Sequence, residues 1–271
     1  MSEFGYFRSG EHRLSFCVDE PDAYRREFGV LFVHAAHGNR LGPHRMFVEA
    51  ATRFNRLGYA TCRFDLSGCG DSVGLVADSS IASDIFNTVN AVRFFQTNYG
   101  LDRVVLFGIS KGASIAYATA SQHTLPLAGM ILLSALSSSR KVALQSVRNV
   151  LREYLLKLTE PAHLLKLGQG RISIPGILRT LDAAWKRRNR YDKIASCDSA
   201  TRCPILFIYG GSDPIREAAM AAYVNECRRN NVPYTCHIIE KANHSFFHYA
   251  WKEEIIRLSE TWLKQLAEAP S

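Results

Sequence analysis

The sequence predicts an α/β fold: a mostly parallel, eight-stranded sheet with helices on both faces and a small helical cap. Three observations carry this reading. Short apolar runs rich in β-branched and aromatic residues recur along the 271 residues, as strands buried on both faces require. Most of them alternate with segments of helical period, and parallel neighbours can be joined only by crossovers, which put helices on both faces. One segment, 137–200, interrupts the alternation and reads as an insertion.

In chain order, Phe4–Arg8 and Arg13–Val18 around Ser9-Gly10 predict a hairpin, closed by a break at Pro21. Gly29–Val33 (GVLFV) predicts a buried strand. Residues 43–57 predict a helix, because Phe47, Ala50, Ala51, Phe54 and Leu57 share one face and Gly58 can end it. Tyr59–Phe64 predicts a strand and Asp84–Tyr99 a helix with Ile85, Val89, Val92 and Phe95 to one side. Arg103–Ile109 is a strand and Lys111–Ser121 a helix, with only a tight turn between them. Leu127–Leu133, Ile205–Tyr209 and Tyr234–Ile239 complete the strands; Ile215–Asn230 and Phe246–Leu266 complete the helices. Residues 1–136 and 201–271 thus form the core, and 137–200 the cap.

Composition narrows the class. At 47% hydrophobic and 21% charged residues the chain is globular, not disordered or collagen-like. No apolar run reaches the ~18 residues that span a bilayer. The opening MSEFGYFRSG shows no apolar signal core. The seven cysteines are odd in number and lack a CxxC, which predicts reduced thiols in a cytoplasmic setting, not a disulfide framework or a zinc site. The net charge of +8 is carried wholly by residues 137–200, with 13 Lys/Arg against five Asp/Glu. Such a block is either a solvated face or a surface that meets an anion.

Two stretches match G-x-S-x-G, and chance alone supplies about 0.1 matches in a chain of this composition, so context must separate them. Gly70-Asp71-Ser72-Val73-Gly74 is not entered from a strand at its serine and no helix-forming run follows. Its GDSV resembles the start of the GDSL hydrolases, yet the D-x-x-H that those enzymes use is absent from the sequence. Gly108-Ile109-Ser110-Lys111-Gly112 lies between VVLF and ASIAYATA. A sharp strand-to-helix turn exposes the Ser110 hydroxyl at the sheet edge, and the following helix aims its positive end at a developing oxyanion.

A serine hydroxyl needs a base, and the base an orienting carboxylate. Asp213 follows the Ile205–Tyr209 strand on a glycine-rich turn, and His244 follows Tyr234–Ile239 in the loop before the last helix. The order Ser110, Asp213, His244, each after a strand, resembles the α/β-hydrolase superfamily over nearly the whole chain. VLFVHAAHGN (residues 30–39) resembles its strand-His-Gly oxyanion loop, and Asp65–Ser72 (DLSGCGDS) its D-x-x-G-x-G-x-S turn, which makes Ser72 structural. RLGPHRMFV (40–48) with that turn is similar to feruloyl-esterase-like and exosortase-associated hydrolases, and the apolar cap to monoacylglycerol-lipase-like relatives.

The resemblance implies that Ser110 attacks an acyl carbonyl, His244 serves as base then acid, and Asp213 orients the imidazole. It implies an oxyanion hole from the backbone N–H groups of Lys111 and Ala36. Ala35 stands where the family usually has glycine, so Ala35 is the alternative donor. The Lys111 side chain either points outward or adds positive charge at the mouth. The expected reaction is hydrolysis of a carboxylic ester or acyl thioester, with no metal or organic cofactor and with activity rising with pH as His244 sheds its proton. The same triad could serve an acyltransferase or peptidase, or the fold could be a non-catalytic binding module.

Rival residues have plain readings. His34 is read as structural beneath the oxyanion loop; His37 and His44 either bind substrate or are ordinary loop polarity. His248, one helical turn after His244, is the rival base, and Glu240 the rival acid. The basic run Lys186-Arg187-Arg188-Asn189-Arg190 lacks any specific nucleic-acid motif. With Leu151, Leu155, Leu158 and Leu164 it suits a lid over an acyl group on an anionic carrier, or transient contact with a membrane surface.

Overall fold

The computed structural model describes residues 2–35, 38–75, 79–136 and 202–268. The predicted cap falls outside them, as do Ala36 and His37. Eight strands form one sheet: β1 (Ser2–Ser9), β2 (His12–Asp19), β3 (Arg25–Val33), β4 (Tyr59–Phe64), β5 (Arg103–Ile109), β6 (Leu127–Leu133), β7 (Ile205–Gly210) and β8 (Tyr234–Ile239). Their spatial order is β1-β2-β4-β3-β5-β6-β7-β8. The β1–β2 hairpin is antiparallel and joins β4 antiparallel; every pairing from β4 onward is parallel. The parallel strands therefore all end at one rim, where ligands of open α/β sheets bind.

Period-two alternation sorts the side chains of each strand between two cores. On β3, Leu31 and Val33 enter one core and Phe28, Val30 and Phe32 the other; on β5, Val104 and Leu106 oppose Val105, Phe107 and Ile109. The first core is covered by α2 (Ile81–Tyr99), α3 (Lys111–Gln122) and α4 (Arg216–Arg229), the second by α1 (Met46–Arg56) and α5 (Tyr249–Glu268). The predicted face of α1 is the buried one: Phe47, Ala50, Ala51 and Phe54 are all at 0% exposure. Each fully buried phenylalanine contributes roughly 1.5–3 kcal/mol. Three polar ties fasten α1 to α5: a two-bond contact of Arg53 with Glu260, a longer one of Arg53 with Glu253 at 3.4 Å, and the Lys252–Glu49 pair at 2.6 Å.

Four helix starts differ from the sequence reading. α1 begins at Met46, not residue 43, because His44 and Arg45 are left-handed (φ 49 and 59) and Pro43–Arg45 forms only a 3-10 turn. The helix α4 begins at Arg216, one residue after Ile215. The other two have identifiable reasons. α2 begins at Ile81, not Asp84, because Ser80 and Ser83 cap each other's backbone N–H groups at 3.0 and 2.8 Å. α5 begins at Tyr249, not Phe246. Phe246 is left-handed (φ 51) and cannot continue a helix; that conformation drives its ring into the second core at 1% exposure. Among the described residues no helix is long and apolar enough to cross a membrane.

Candidate active site

Ser110 sits at the end of β5 as the cap residue of α3, with φ 55 and ψ −120. A non-glycine residue rarely adopts this conformation, and the strain persists because neighbours over-determine it. Its N–H donates to Leu133 O at 2.8 Å, keeping it in register with β6. A Cβ on Gly108 would stand 2.6 Å from Ala113 Cα and Gly112 O. One on Gly112 would stand 2.5 Å from His34 O and press harder still on Val33 O. The glycines thus let the first turn of α3 lie directly against the end of β3, where the predicted oxyanion loop starts.

The acid and base loops meet in the same way. A Cβ on Gly210 would stand 2.6 Å from Asn243 O, so the turn after β7 touches the turn after β8 backbone to backbone. Ser212 N–H donates to Ala242 O and Gly211 N–H to Ile239 O, both at 2.8 Å. Ala242 and Phe246, buried on either side of His244, pin its loop to the core. Asp213 is 5% exposed, and its Oδ1 accepts the Ile215 N–H at 3.1 Å.

These supports bring three side chains into line. Asp213 Oδ2 lies 2.7 Å from His244 Nδ1, and His244 Nε2 lies 2.9 Å from Ser110 Oγ. With Nδ1 donating to the carboxylate, Nε2 presents its lone pair to the serine hydroxyl, which donates to it. Charge can then pass from hydroxyl to imidazole without rearrangement. The buried acid, with its side chain at 1% exposure against 31% for His244, can stabilise the imidazolium so formed. Lys111 is the first residue of α3, and its N–H has no acceptor within the helix.

The rivals are placed elsewhere. Ser72 Oγ accepts the Ser15 N–H at 2.8 Å and donates to Asp65 O at 2.6 Å, so it clamps β2 to the turn after β4. His248 precedes α5 and is exposed, its Nδ1 accepting the Ala250 N–H at 3.3 Å; Glu240 is also exposed. His44 is a left-handed turn residue (φ 49) whose carbonyl accepts from Lys252 Nζ at 3.5 Å. Burial pushes the Cys17 thiol up to about 11 and the Cys227 thiol up to about 12, so neither is a thiolate at neutral pH.

His34 is enclosed at 1% exposure. Its Nε2 accepts the Leu66 N–H at 3.0 Å, which fixes Nδ1 as the donor to Ala35 O at 2.8 Å. The neutral ring thereby joins the end of β3 to the turn after β4. Burial pushes its pKa down, against the opposing pull of the Ala35 carbonyl, Asp65 and Asp84. The unfolded chain, with histidine's ordinary value near 6.5, therefore takes up this proton before the folded one as pH falls. Stability is expected to decline below about pH 6.5, by at most ~1.4 kcal/mol per unit from this group. Melting temperatures between pH 7 and pH 5 check it, with a shallower decline expected in His34→Gln.

Sequence reasoning missed two supports. Asp65, fully buried, accepts the Arg40 N–H at 2.6 Å and the Asp71 N–H at 3.0 Å, and pairs with the Arg40 guanidinium. That cluster fastens Arg40 to the turn after β4. Lys111 neither points outward nor charges the mouth: its Nζ turns to the buried carboxylate of Asp84 at 2.6 Å. An acid in the first turn of α2 was visible in the sequence, but no spacing linked it to residue 111.

The fold, and the placement of these side chains at its rim, define an α/β-hydrolase. A family model described as serine aminopeptidase, S33, matches residues 31–179, over half of the chain, and the protein belongs to that hydrolase family. No curated protein matches it. Among solved structures it is similar to Est1E from Butyrivibrio proteoclasticus with ferulic acid bound, at 17% identity and TM-score 0.66 over 97% of this chain and 99% of that one. An esterase from Pyrococcus furiosus shares 16% identity, TM-score 0.72, over 98% and 91%. A proline iminopeptidase from Mycobacterium smegmatis shares 15%, TM-score 0.67, over 97% and 99%. At such identities the likeness is one of fold.

Proposed function

We propose that the protein hydrolyses a carboxylic ester or acyl thioester through an acyl-enzyme at Ser110. The observation that carries this reading is the unbroken line Asp213–His244–Ser110 with contacts of 2.7 and 2.9 Å. Ser110 Oγ attacks the acyl carbonyl carbon while His244 Nε2 takes its proton, and the carbonyl oxygen becomes an oxyanion facing the Lys111 N–H. In this reading the backbone N–H of Ala36 is the second donor. Collapse expels the alcohol or thiol, which receives the proton from His244, and leaves Ser110 acylated. Water then repeats the sequence, with His244 as base, and releases the acid.

The choice among acyl groups rests on charge. The segment 137–200, inserted between β6 and β7, holds 13 of the chain's 33 basic residues and only five acidic ones. So basic a segment favours an anionic substrate, such as an acyl group on a phosphorylated carrier, or transient contact with an anionic membrane surface. It opposes the free ammonium that an aminopeptidase must bind. The second reading, cleavage of an aminoacyl amide, is favoured by the description of the matched family. A cytoplasmic setting fits the six described cysteines, all free thiols.

Turnover of p-nitrophenyl acyl esters, acyl-coenzyme A thioesters and aminoacyl p-nitroanilides separates these readings, with Ser110→Ala as the blank. Esters and thioesters are expected to dominate, with thioester turnover falling as salt rises. Preference for the anilides would establish the peptidase reading. No turnover of any class, together with no labelling by a fluorophosphonate, would leave a binding module.

A further inference from the structure

The side chain of Lys111 is held in an unusual way for a residue beside a half-buried serine at the rim. Its Nζ lies 2.6 Å from Asp84 Oδ2, and only 14% of the side chain remains exposed. Asp84 is at 0% exposure. The Ser79 hydroxyl, 3.2 and 3.3 Å from its two oxygens, also serves the carboxylate. Asp84 lies in the first turn of α2, where the helix dipole favours negative charge. The reciprocal Ser80–Ser83 cap closes that turn, so the anchor is stiff.

Burying such a pair is a poor route to stability, because desolvation offsets most of the attraction and well-packed apolar residues of similar volume often serve as well or better. Its distinctive property is direction: it fixes one point at one distance. The point fixed here belongs to the residue that follows a strained serine (φ 55) and opens α3. The N–H of that residue is held by no bond within the helix. On one side Gly112 rests on the end of β3; on the other, the ion pair ties residue 111 to α2.

We infer that Asp84 and the Lys111 ammonium form a positioning device that holds the Lys111 backbone N–H where the oxyanion develops. This rests on the acyl chemistry proposed for Ser110. Neither charged group touches the substrate; both act through the amide. The pair also withdraws the ammonium from the mouth, so substrate charge is not read at residue 111.

The test compares wild type with Lys111→Arg, Asp84→Asn and the double variant Lys111→Met/Asp84→Leu, which leaves no unpaired buried charge. kcat and KM are measured on the p-nitrophenyl ester that wild type turns over best, and melting temperature and fluorophosphonate labelling are recorded alongside. The folded double variant is expected to lose ~10²-fold in kcat with KM nearly unchanged, as expected when a transition-state donor is displaced. Asp84→Asn is expected to lose kcat in the same sense, and Lys111→Arg to keep at least about a tenth of it. A folded double variant with wild-type kcat, or a loss confined to KM, would overturn the positioning role alone. Wild type that neither turns over esters nor takes the label would overturn the acyl chemistry and this role with it.

Discussion

Ser110→Ala is expected to lower kcat by at least about 10³-fold and to abolish fluorophosphonate labelling, while leaving the fold intact. The hydroxyl is the only group removed, and the backbone at residue 110 already holds φ 55 with a side chain in place. The residual rate then reports what the amide of Lys111 and substrate binding achieve alone. Ser72→Ala makes the matched comparison. Its loss leaves the Ser15 N–H, 2.8 Å from Ser72 Oγ and shut away from solvent, without an acceptor, at a cost of about 1–3 kcal/mol. That variant should unfold at lower denaturant yet label at the wild-type rate. The reverse pattern, with Ser72→Ala inert and Ser110→Ala active, would move the nucleophile to the other motif.

Asp213→Asn should lower kcat by about 10⁴-fold, with little change in stability. The amide keeps an oxygen for the Ile215 N–H, 3.1 Å from Asp213 Oδ1. Its nitrogen must then face His244 Nδ1, 2.7 Å from where Oδ2 stood. An amide nitrogen only donates, so the imidazole is forced to carry its proton on Nε2. That N–H points at Ser110 Oγ, 2.9 Å away, and cannot accept the hydroxyl proton. Steady-state kinetics on the preferred ester, with a melting curve for each protein, distinguishes this tautomer effect from unfolding. Near-wild-type kcat in the folded variant would remove Asp213 from the mechanism.

The parts legible in the sequence were those set by periodicity and by strand ends. The unbroken apolar runs VLFV and VVLF place their strands in the sheet centre, and a parallel sheet sends every strand end to one rim. Three polar residues that each follow a strand therefore converge there, although Ser110 and His244 are 134 positions apart. What the sequence concealed depends on reach across elements. Asp84 pairs with Lys111 through the packing of α2 on α3, which no local spacing encodes. Phe246 matches helical period, yet its left-handed backbone sets its ring in the second core, and α5 starts only at Tyr249. A serine at the third helical position, doing the work that Glu or Gln usually does, hid the true start of α2.

The late position of the base has a consequence for biosynthesis. β8 is the outermost strand at its edge of the sheet, paired among the described residues only with β7, and it leads into the loop that carries His244. β8 and the loop after it are made later than every other strand of the described sheet, and domains begin to fold from their N-terminal side during synthesis. The alcohol at the elbow can then take shape while remaining no more reactive than any other serine. In the proposed mechanism chemical competence arrives with the closing strand, so a product truncated or stalled before it carries no armed nucleophile.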